Sequence, residues 1–401
     1  MPSPADFPKG CRFSDRCPMA TGICRDTAPA LEGTDGHGYA CHHPPSPSAR
    51  RSRPDERTAE HRPIAELSDV HVVHASRGGG MFSREKVYAL TGADLVIRSG
   101  ETVGIVGESG CGKSTLAKVL VGLQRPTAGT VSFAGKDVWS MSAAERREHI
   151  GAGVGMIFQD PATSLNRRMP VRDILRDPLD VHRRGTRQQR EQRVAELMAL
   201  VGLPRSVADV LPSQLSGGQR QRVSIARALA LETGLVIADE PTSALDVSVR
   251  AQILNLLLDL KDRLGLAMVL VSHDIQTVKR VSDRVVTMYL GRVVEQTPAG
   301  LLPEGGRHPY TRALFSATPG LLSPIEPIPL VGPSVGHSPA ERLPVPDPLL
   351  GRHRRLRRGH AGAAPRRGRG PRVPLPPPGA RRDREHRTGR ARHPGDRPHR
   401  I

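Results

Sequence analysis

A glycine-rich stretch at residues 107–115 has the composition and spacing of a phosphate-binding loop. It reads Gly-Glu-Ser-Gly-Cys-Gly-Lys-Ser-Thr, which fits the pattern G-x-x-x-x-G-K-[ST]. Glycines let backbone N–H groups turn towards phosphates, the lysine reaches the β- and γ-phosphates, and the next hydroxyl can ligate Mg²⁺. The alternative is a chance glycine-rich turn. The predicted phosphate-binding residues are Gly107, Glu108, Ser109, Gly110, Cys111, Gly112, Lys113, Ser114 and Thr115.

Two adjacent carboxylates follow an apolar stretch at residues 235–238. We predict that this stretch is a strand beside the phosphate-binding loop, so that Asp239 reaches the Mg²⁺ shell directly or through water. Glu240 would then polarise an attacking water, because a general base must lie within reach of the proton that it removes. The alternative is an ordinary strand that ends in solvated acids.

Strand and helix patterns around these residues predict an α/β fold with a mainly parallel sheet. Residues 102–106 are apolar like a buried strand, and residues 116–122 have helical periodicity. The loop would therefore open a helix, whose N-terminus favours anions. Strand and helix patterns alternate from about residue 64 to residue 295, as expected for a parallel sheet. Residues 173–203 interrupt the strands with a helical pattern and predict a helical subdomain.

The positive charge of the chain is concentrated at its C-terminal end. The formal net charge is +19 over 401 residues, of which residues 351–401 contribute +14 through 17 arginines and three acids. We therefore expect no nucleic-acid partner for the domain that carries the loop. The Pro/Arg-rich tail, residues 321–401, is predicted to be disordered or to result from a frameshift near residues 331–350. The alternative is a basic arm for nucleic acid or anionic lipid.

The apolar content predicts a cytoplasmic location. No apolar run reaches the length of a membrane span, and the polar, proline-rich N-terminus does not resemble a signal peptide.

Further motifs occur in a fixed order with the loop and resemble those of ATP-binding cassette (ABC) ATPases over about residues 64–320. They are Gln159 in Phe-Gln-Asp, the stretch Leu215-Ser-Gly-Gly-Gln219, the pair Asp239-Glu240, Asp246 in Ser-Ala-Leu-Asp, and His273 in Val-Ser-His-Asp. The resemblance implies a P-loop NTPase core with a mainly parallel sheet, an antiparallel β subdomain, and an α-helical subdomain at about residues 160–225. The ATPase domain would span residues 66–320.

The resemblance also implies how ATP and Mg²⁺ are bound. Two such domains would sandwich two nucleotides head to tail, each held by the phosphate-binding loop of one domain and the signature of the other. The signature residues would be Ser216, Gly217, Gly218 and Gln219, which by themselves are also typical of a helix N-cap. The catalytic residues would be Glu240, His273 and Gln159, the Mg²⁺ ligands Ser114, Gln159 and Asp239, and the residue of the dimer loop Asp246.

The adenine-stacking position departs from the family pattern. The family usually places an aromatic residue near the first strand, and the matching position here is His74, with Tyr88 as a weaker candidate. Imidazole can stack, but it offers less area than a tyrosine or tryptophan ring.

Residues 158–166, 243–248, 288–291 and 308–313 resemble the subgroup of dipeptide, oligopeptide and nickel importers. The resemblance implies a peripheral ATP-hydrolysing subunit on the cytoplasmic face of the cell membrane. It would pair with a second, paralogous ATPase subunit under two integral membrane permease subunits. An extracytoplasmic peptide-binding protein would deliver the peptide to the permease subunits. The alternatives are a non-transport ABC ATPase that acts with nucleic acid or ribosomes, and a degenerate subunit that binds ATP without turnover.

A cysteine-rich segment, residues 1–48, precedes the predicted ATPase domain and is followed by a predicted linker at residues 49–65. It contains Cys11, Cys17, Cys24 and Cys41, and it resembles the C-terminal end of a partner importer ATPase. The spacing C-x5-C-x6-C-x16-C suits four thiolate ligands, and the resemblance suggests a 4Fe–4S cluster. Zinc is the alternative metal, and an empty motif also stays open.

Overall fold

The structure is a computed structural model that describes residues 8–34, 36–44, 62–77 and 84–317. The predicted tail, residues 321–401, and residues 49–61 of the predicted linker lie outside these ranges. The strands, in chain order, are β1 (Glu32–Thr34), β2 (His37–Tyr39), β3 (Pro63–Arg77), β4 (Arg84–Arg98), β5 (Thr102–Val106), β6 (Ala128–Phe133), β7 (Lys136–Asp137), β8 (Val154–Ile157), β9 (Leu235–Asp239), β10 (Ala267–Val271), β11 (Arg284–Tyr289) and β12 (Arg292–Pro298).

Helices cover both faces of the larger sheet. They are α1 (Gly22–Asp26), α2 (Lys113–Leu120), α3 (Ala143–Gly153), α4 (Pro161–Ser164), α5 (Val171–Val181), α6 (Arg187–Leu200), α7 (Gly217–Ala228), α8 (Val247–Leu264), α9 (Ile275–Val281) and α10 (Pro309–Ser316). Within the described ranges, no helix combines the length and the apolar character that crossing a membrane requires.

The larger sheet has the strand order β1-β2-β12-β11-β5-β10-β9-β8. Neighbouring strands from β11 to β8 are parallel, whereas β12 and β2 are added antiparallel at one side. Strands β5, β9 and β10 are buried along their whole length, which explains their unbroken apolar sequence. The predicted α/β fold with a mainly parallel sheet is confirmed.

Alternate residues of the central strands face two separate cores. In β10, Met268 and Leu270 lie in a core with helices α5 to α9, whereas Val269 and Val271 lie in a core with α2 and the smaller sheet. This alternation follows from the two-residue period of a strand. The strand is thereby fixed from both faces, and so are the residues that follow its carboxyl end.

The smaller sheet is antiparallel, with the strand order β4-β3-β6-β7, as the predicted antiparallel subdomain requires. Strand β3 begins at Pro63, inside the predicted linker and three residues before the predicted start of the domain at residue 66. The reason is a period-two pattern: Ala65 and Leu67 are buried while Glu66 is exposed. Such a pattern pairs with a neighbouring strand instead of continuing a linker.

The helical pattern predicted at residues 173–203 is divided into two helices, α5 and α6. Arg183 and Gly185 have φ angles of 52° and 68°, which lie in the left-handed region and end a right-handed helix. Thr186 then starts α6 with a capping box, since its side chain and that of Gln189 each accept a hydrogen bond from the other residue's backbone N–H. The turn lets both helices pack on α7 around the core that contains Leu197.

Candidate nucleotide-binding and hydrolysis site

The phosphate-binding loop connects β5 to α2 in a conformation that requires glycine at two positions. Gly107 and Gly112 have φ angles of 150° and 107°, which other residues rarely adopt. A Cβ atom at Gly107 would lie 2.3 Å from the Met288 carbonyl oxygen, and one at Gly112 would lie 2.5 Å from the Ala89 carbonyl oxygen. Helix α2 begins directly after the loop at Lys113, so the loop presents a helix N-terminus to an anion.

The side chain of Lys113 folds over this loop. Its Nζ donates hydrogen bonds of 2.8 Å to the carbonyl oxygens of Gly107 and Glu108. The ammonium group is largely buried, so its positive charge is less screened by solvent than a surface charge would be. A buried cation beside a helix N-terminus favours a bound phosphate.

Ser114 and Asp239 are in contact, although the strand before the loop of Ser114 and the strand that ends in Asp239 are not neighbours in the sheet. Ser114 Oγ donates a hydrogen bond to Asp239 Oδ1 at 3.2 Å. Strand β10 lies between β5, which precedes the loop, and β9, which ends in Asp239. Ser114 lies on the first turn of α2, and from there its side chain reaches Asp239. Burial raises the pKa of Asp239, although the Ser114 hydrogen bond opposes this effect. Neighbouring hydroxyl and carboxylate oxygens are ligands that fit Mg²⁺.

The three predicted catalytic residues meet at the carboxylate of Glu240. Gln159 Nε2 donates to Glu240 Oε2 at 2.9 Å, and His273 Nδ1 lies 3.4 Å from the same oxygen. These residues follow β8, β9 and β10, whose carboxyl ends lie at one edge of the parallel sheet. The Glu240 side chain is 19% exposed, so water can reach a carboxylate that is otherwise fixed by its neighbours.

The backbone of Glu240 is also constrained. Its φ angle is 47°, in the left-handed region that residues other than glycine rarely occupy. Its N–H donates a hydrogen bond of 2.8 Å to the Val271 carbonyl oxygen, which ties the end of β9 to the end of β10. The carboxylate is therefore positioned by both backbone and side-chain contacts.

The predicted signature residues form the start of α7. Ser216 Oγ accepts a hydrogen bond from the Gln219 backbone N–H at 3.2 Å, and Gln219 Oε1 accepts one from the Ser216 N–H at 2.9 Å. This reciprocal pair is a capping box, so the N-cap interpretation describes the arrangement within this chain. A Cβ atom at Gly218 would lie 2.9 Å from Val249 Cγ1, which shows how closely the signature packs on α8.

Asp246 and His74 lie at the surface. Asp246 immediately precedes α8 and is exposed. His74 is exposed on β3 opposite Val87 of β4, and Tyr88 is half-buried opposite Val73. The adenine-stacking role of His74 and the dimer role of Asp246 stay predictions.

The cysteine-rich segment packs against the core of its own chain. The Phe13 side chain is 2% exposed, and its ring centroid lies 5.4 Å from that of Tyr289 and 5.5 Å from that of Tyr310. Strand β2 extends the larger sheet by antiparallel pairing with β12. His37 Nε2 lies 3.0 Å from the buried Glu295 Oε1. No motif in the sequence indicated this docking.

Two residues that sequence analysis did not assign to the site contact the phosphate-binding loop. Arg16 Nη1 lies 3.0 Å and 3.1 Å from the two carboxylate oxygens of Glu108, and the Glu108 N–H donates to Tyr310 Oη at 3.0 Å. Tyr310 belongs to the His-Pro-Tyr stretch that indicated the importer subgroup. Arg16 lies among the cysteines, and only the docking of that segment brings it to the loop.

The four cysteines of the segment line one cavity together with His308. They are free thiols, and burial raises the pKa values of Cys11, Cys17 and Cys41, the last to about 11. Metals bind the thiolate form, which this burial disfavours. Among the described residues, no three His, Cys, Asp or Glu side chains are arranged to hold a metal ion. The four thiols therefore share one cavity without forming such an arrangement among the described residues.

Two family models match the chain. The family described as "ABC transporter" matches residues 90–243, and "Oligopeptide/dipeptide transporter, C-terminal region" matches residues 1–24 and 294–340. The two stretches of the second match are far apart in sequence, but they are in contact through the rings of Phe13 and Tyr310.

Curated proteins and a solved structure are also similar to the chain. The oligopeptide transport ATP-binding protein AppF of Bacillus subtilis is 44% identical over 263 residues, which cover 65% of this chain and 80% of AppF. The probable D,D-dipeptide transport ATP-binding protein DdpF of Escherichia coli is 45% identical over 261 residues, which cover 65% of this chain and 80% of DdpF. The dimeric post-hydrolysis structure of the ATP-binding cassette MJ0796, bound to ADP and Pi, is 32% identical with a TM-score of 0.53, covering 59% of this chain and 99% of that chain.

Proposed function

Since this chain belongs to the ABC transporter family of ATP-binding proteins and is an ATP hydrolase, we propose that it energises the import of di- or oligopeptides across a cell membrane. Both relatives described above have peptide transport in their names, and the match to the oligopeptide/dipeptide transporter region supports the same substrate class. Related substrates, such as nickel, belong to the same proposal through the resemblance of the sequence.

The observation that carries the hydrolytic part of the proposal is the convergence of Gln159 and His273 on Glu240. Glu240 would accept a proton from the water that attacks the γ-phosphate, and His273 would contact that phosphate. Proton removal by a positioned carboxylate is general-base catalysis. The contact with Gln159 and His273 would keep the carboxylate in one orientation.

Residues at the same edge would hold Mg²⁺. Ser114 Oγ and Asp239 Oδ1 are already neighbours, and Gln159 would contribute its amide oxygen because its Nε2 donates to Glu240. Bound Mg²⁺ neutralises phosphate charge in reactions of this class. Lys113 would bind the β- and γ-phosphates.

The signature would act on ATP held by a second ATPase subunit. In this chain the Ser216 hydroxyl caps its own helix α7. Gly217 and Gly218 are the first two residues of this twelve-residue helix, whose N-terminus favours anions. We infer a head-to-tail sandwich with a paralogous subunit, in which Asp246 lies near the partner's site.

The remaining partners are two integral membrane permease subunits and, indirectly, an extracytoplasmic peptide-binding protein. We propose that the chain attaches to the cytoplasmic face of the membrane through the permease subunits. The helical subdomain is the proposed contact.

Peptide uptake by reconstituted vesicles tests this proposal. Vesicles that contain the full chain, a paralogous ATPase subunit and two permease subunits should take up labelled peptide only with ATP, Mg²⁺ and the binding protein. Glu240→Gln should abolish uptake, whereas Glu304→Gln, an exposed acid away from the site, should not. Hydrolysis that is stimulated by nucleic acid or ribosomes, and not by permease subunits, would favour the non-transport alternative.

A 4Fe–4S cluster at Cys11, Cys17, Cys24 and Cys41 is a separate proposal. Their spacing and shared cavity support it, and iron or zinc would bind the deprotonated thiols. The test is to measure iron, sulfide and zinc in anaerobically purified protein. The variant in which all four cysteines are replaced by serine is the control. Protein that lacks both metals would remove the proposal.

A further inference from the structure

We propose that Arg16 is a positioning residue for ATP binding, which acts on the phosphate-binding loop from the cysteine-rich segment. The ATP-site residues considered above all lie between residues 74 and 273, and none comes from this segment. The proposal depends on ATP binding by this chain and is independent of peptide import, so either can fail without the other.

The segment that carries Arg16 is firmly attached to the ATPase domain. Phe13, three residues earlier, is buried in a cluster with Tyr289 and Tyr310. Arg12 donates a hydrogen bond to the Leu290 carbonyl oxygen, and the Ala40 N–H donates to the Val294 carbonyl oxygen at 2.8 Å. Contacts on both sides of Arg16 thus fix its backbone relative to strands β11 and β12.

The guanidinium of Arg16 contacts both carboxylate oxygens of Glu108, at 3.0 Å and 3.1 Å. It also lies 3.4 Å from Tyr289 Oη. The two side chains are only 10% and 20% exposed, so solvent and salt screen this pair less than a surface ion pair. Removal of Arg16 would take away a cation that faces a partly buried carboxylate, which is more costly than loss of a surface pair.

Glu108 is held on three sides. Arg16 binds its side chain, Tyr310 Oη accepts from its N–H, and Lys113 Nζ donates to its carbonyl oxygen at 2.8 Å. Glu108 follows Gly107 and therefore sits at the second position of the phosphate-binding loop. The orientation of this residue sets the direction in which the loop continues.

The charge of Glu108 gives Arg16 a second effect. A carboxylate within an anion-binding loop repels the phosphates of ATP unless a cation neutralises it. Arg16 supplies that cation and holds the carboxylate on the side of the cysteine-rich segment. ATP binding should therefore depend on Arg16, whereas the chemical step at Glu240 should not.

The test is equilibrium binding of ATP with Mg²⁺ to the full chain, together with KM and kcat for hydrolysis. Arg16→Gln should raise Kd and KM roughly tenfold and change kcat less than about twofold, which is the pattern of lost ground-state binding. Arg16→Lys, which keeps the charge, should recover most of the affinity. Arg25→Gln is the matched control, because Arg25 is exposed on the same segment, and it should leave both constants unchanged.

A double variant separates neutralisation from general stability. Glu108→Gln in the Arg16→Gln background removes the uncompensated charge and should restore Kd to within about threefold of that of Glu108→Gln alone. If Arg16→Gln alone fails to fold, the comparison of the double variant with Glu108→Gln still tests the proposal. The proposal would be overturned if Arg16→Gln left Kd unchanged, or if Arg25→Gln weakened ATP binding equally. It would also be overturned if Arg16→Gln lowered kcat at constant KM, or if the double variant bound ATP roughly tenfold more weakly than Glu108→Gln alone.

Discussion

The hydrolysis edge and the start of helix α7 differ in how complete they are within one chain. The hydrolysis edge comprises Lys113, Ser114, Gln159, Asp239, Glu240 and His273. At the hydrolysis edge, side chains from separate elements contact one another, as in the pairs Ser114–Asp239 and Gln159–Glu240. At the start of α7, Ser216 bonds only to its own helix among the described residues. Under our proposal, the first region binds phosphate and Mg²⁺ with residues of one chain. The second offers a helix N-terminus that, under our proposal, a nucleotide on another subunit would use.

Among variants that distinguish the two regions, Lys113→Ala is expected to have the largest effect, a loss of affinity for ATP. Loss of a charge-assisted contact to the phosphates should weaken ATP binding roughly 10- to 100-fold. Isothermal titration with ATP and Mg²⁺ measures it, and Lys136→Ala, an exposed lysine on β7, is the control. Equal affinity of the two variants would mean that the loop does not bind phosphate through Lys113.

A smaller effect is expected from Ser216→Ala, which separates capping from signature function. Loss of the cap should lower the free energy of unfolding by about 1 kcal/mol. Ser142→Ala should lower it similarly, since Ser142 caps α3 in the same kind of capping box. Only Ser216→Ala should lower turnover of the assembled ATPase, by about tenfold. Urea unfolding and steady-state hydrolysis measure the two effects, and equal turnover of the variants would reduce Ser216 to a structural cap.

The smallest effect is expected from Asp246→Ala. In the described part of the chain, the Asp246 side chain makes no capping hydrogen bond to α8, so the free energy of unfolding should change by less than about 0.5 kcal/mol. Turnover of the assembled pair should still fall about threefold, as expected for loss of a single exposed contact across a dimer. A variant that loses stability and keeps its turnover would place Asp246 in the fold of this chain alone.

The hydrolysis edge was predictable because its motifs are short and local. A glycine-rich loop, a strand that ends in two acids and a histidine after the next strand each have a chemical meaning at fixed spacing. Parallel strands then bring Gln159, Glu240 and His273 to one edge. Strand order was not predictable: the position of β10 between β5 and β9 depends on tertiary packing, which no local pattern reports.

The docking of the cysteine-rich segment was not predictable for the same reason. Phe13 is buried by Tyr289 and Tyr310, residues that lie more than two hundred positions away in the sequence. Cysteine spacing suggested metal binding, but it carried no information about Arg16 and Glu108. Long-range contacts of this kind depend on the shape of the folded surface, whereas helix caps such as that of Ser216 are visible in a few consecutive residues.

The turnover number of Glu240→Gln tests the central claim most directly. ATP binding and hydrolysis would be measured for the wild type and the variant, with and without the permease subunits. We predict that Glu240→Gln binds ATP like the wild type while kcat falls at least about 100-fold, because the phosphate-binding loop is kept and the general base is lost. Permease subunits should raise the turnover of the wild type. A variant that hydrolyses ATP as fast as the wild type would contradict the assignment of Glu240 as the general base.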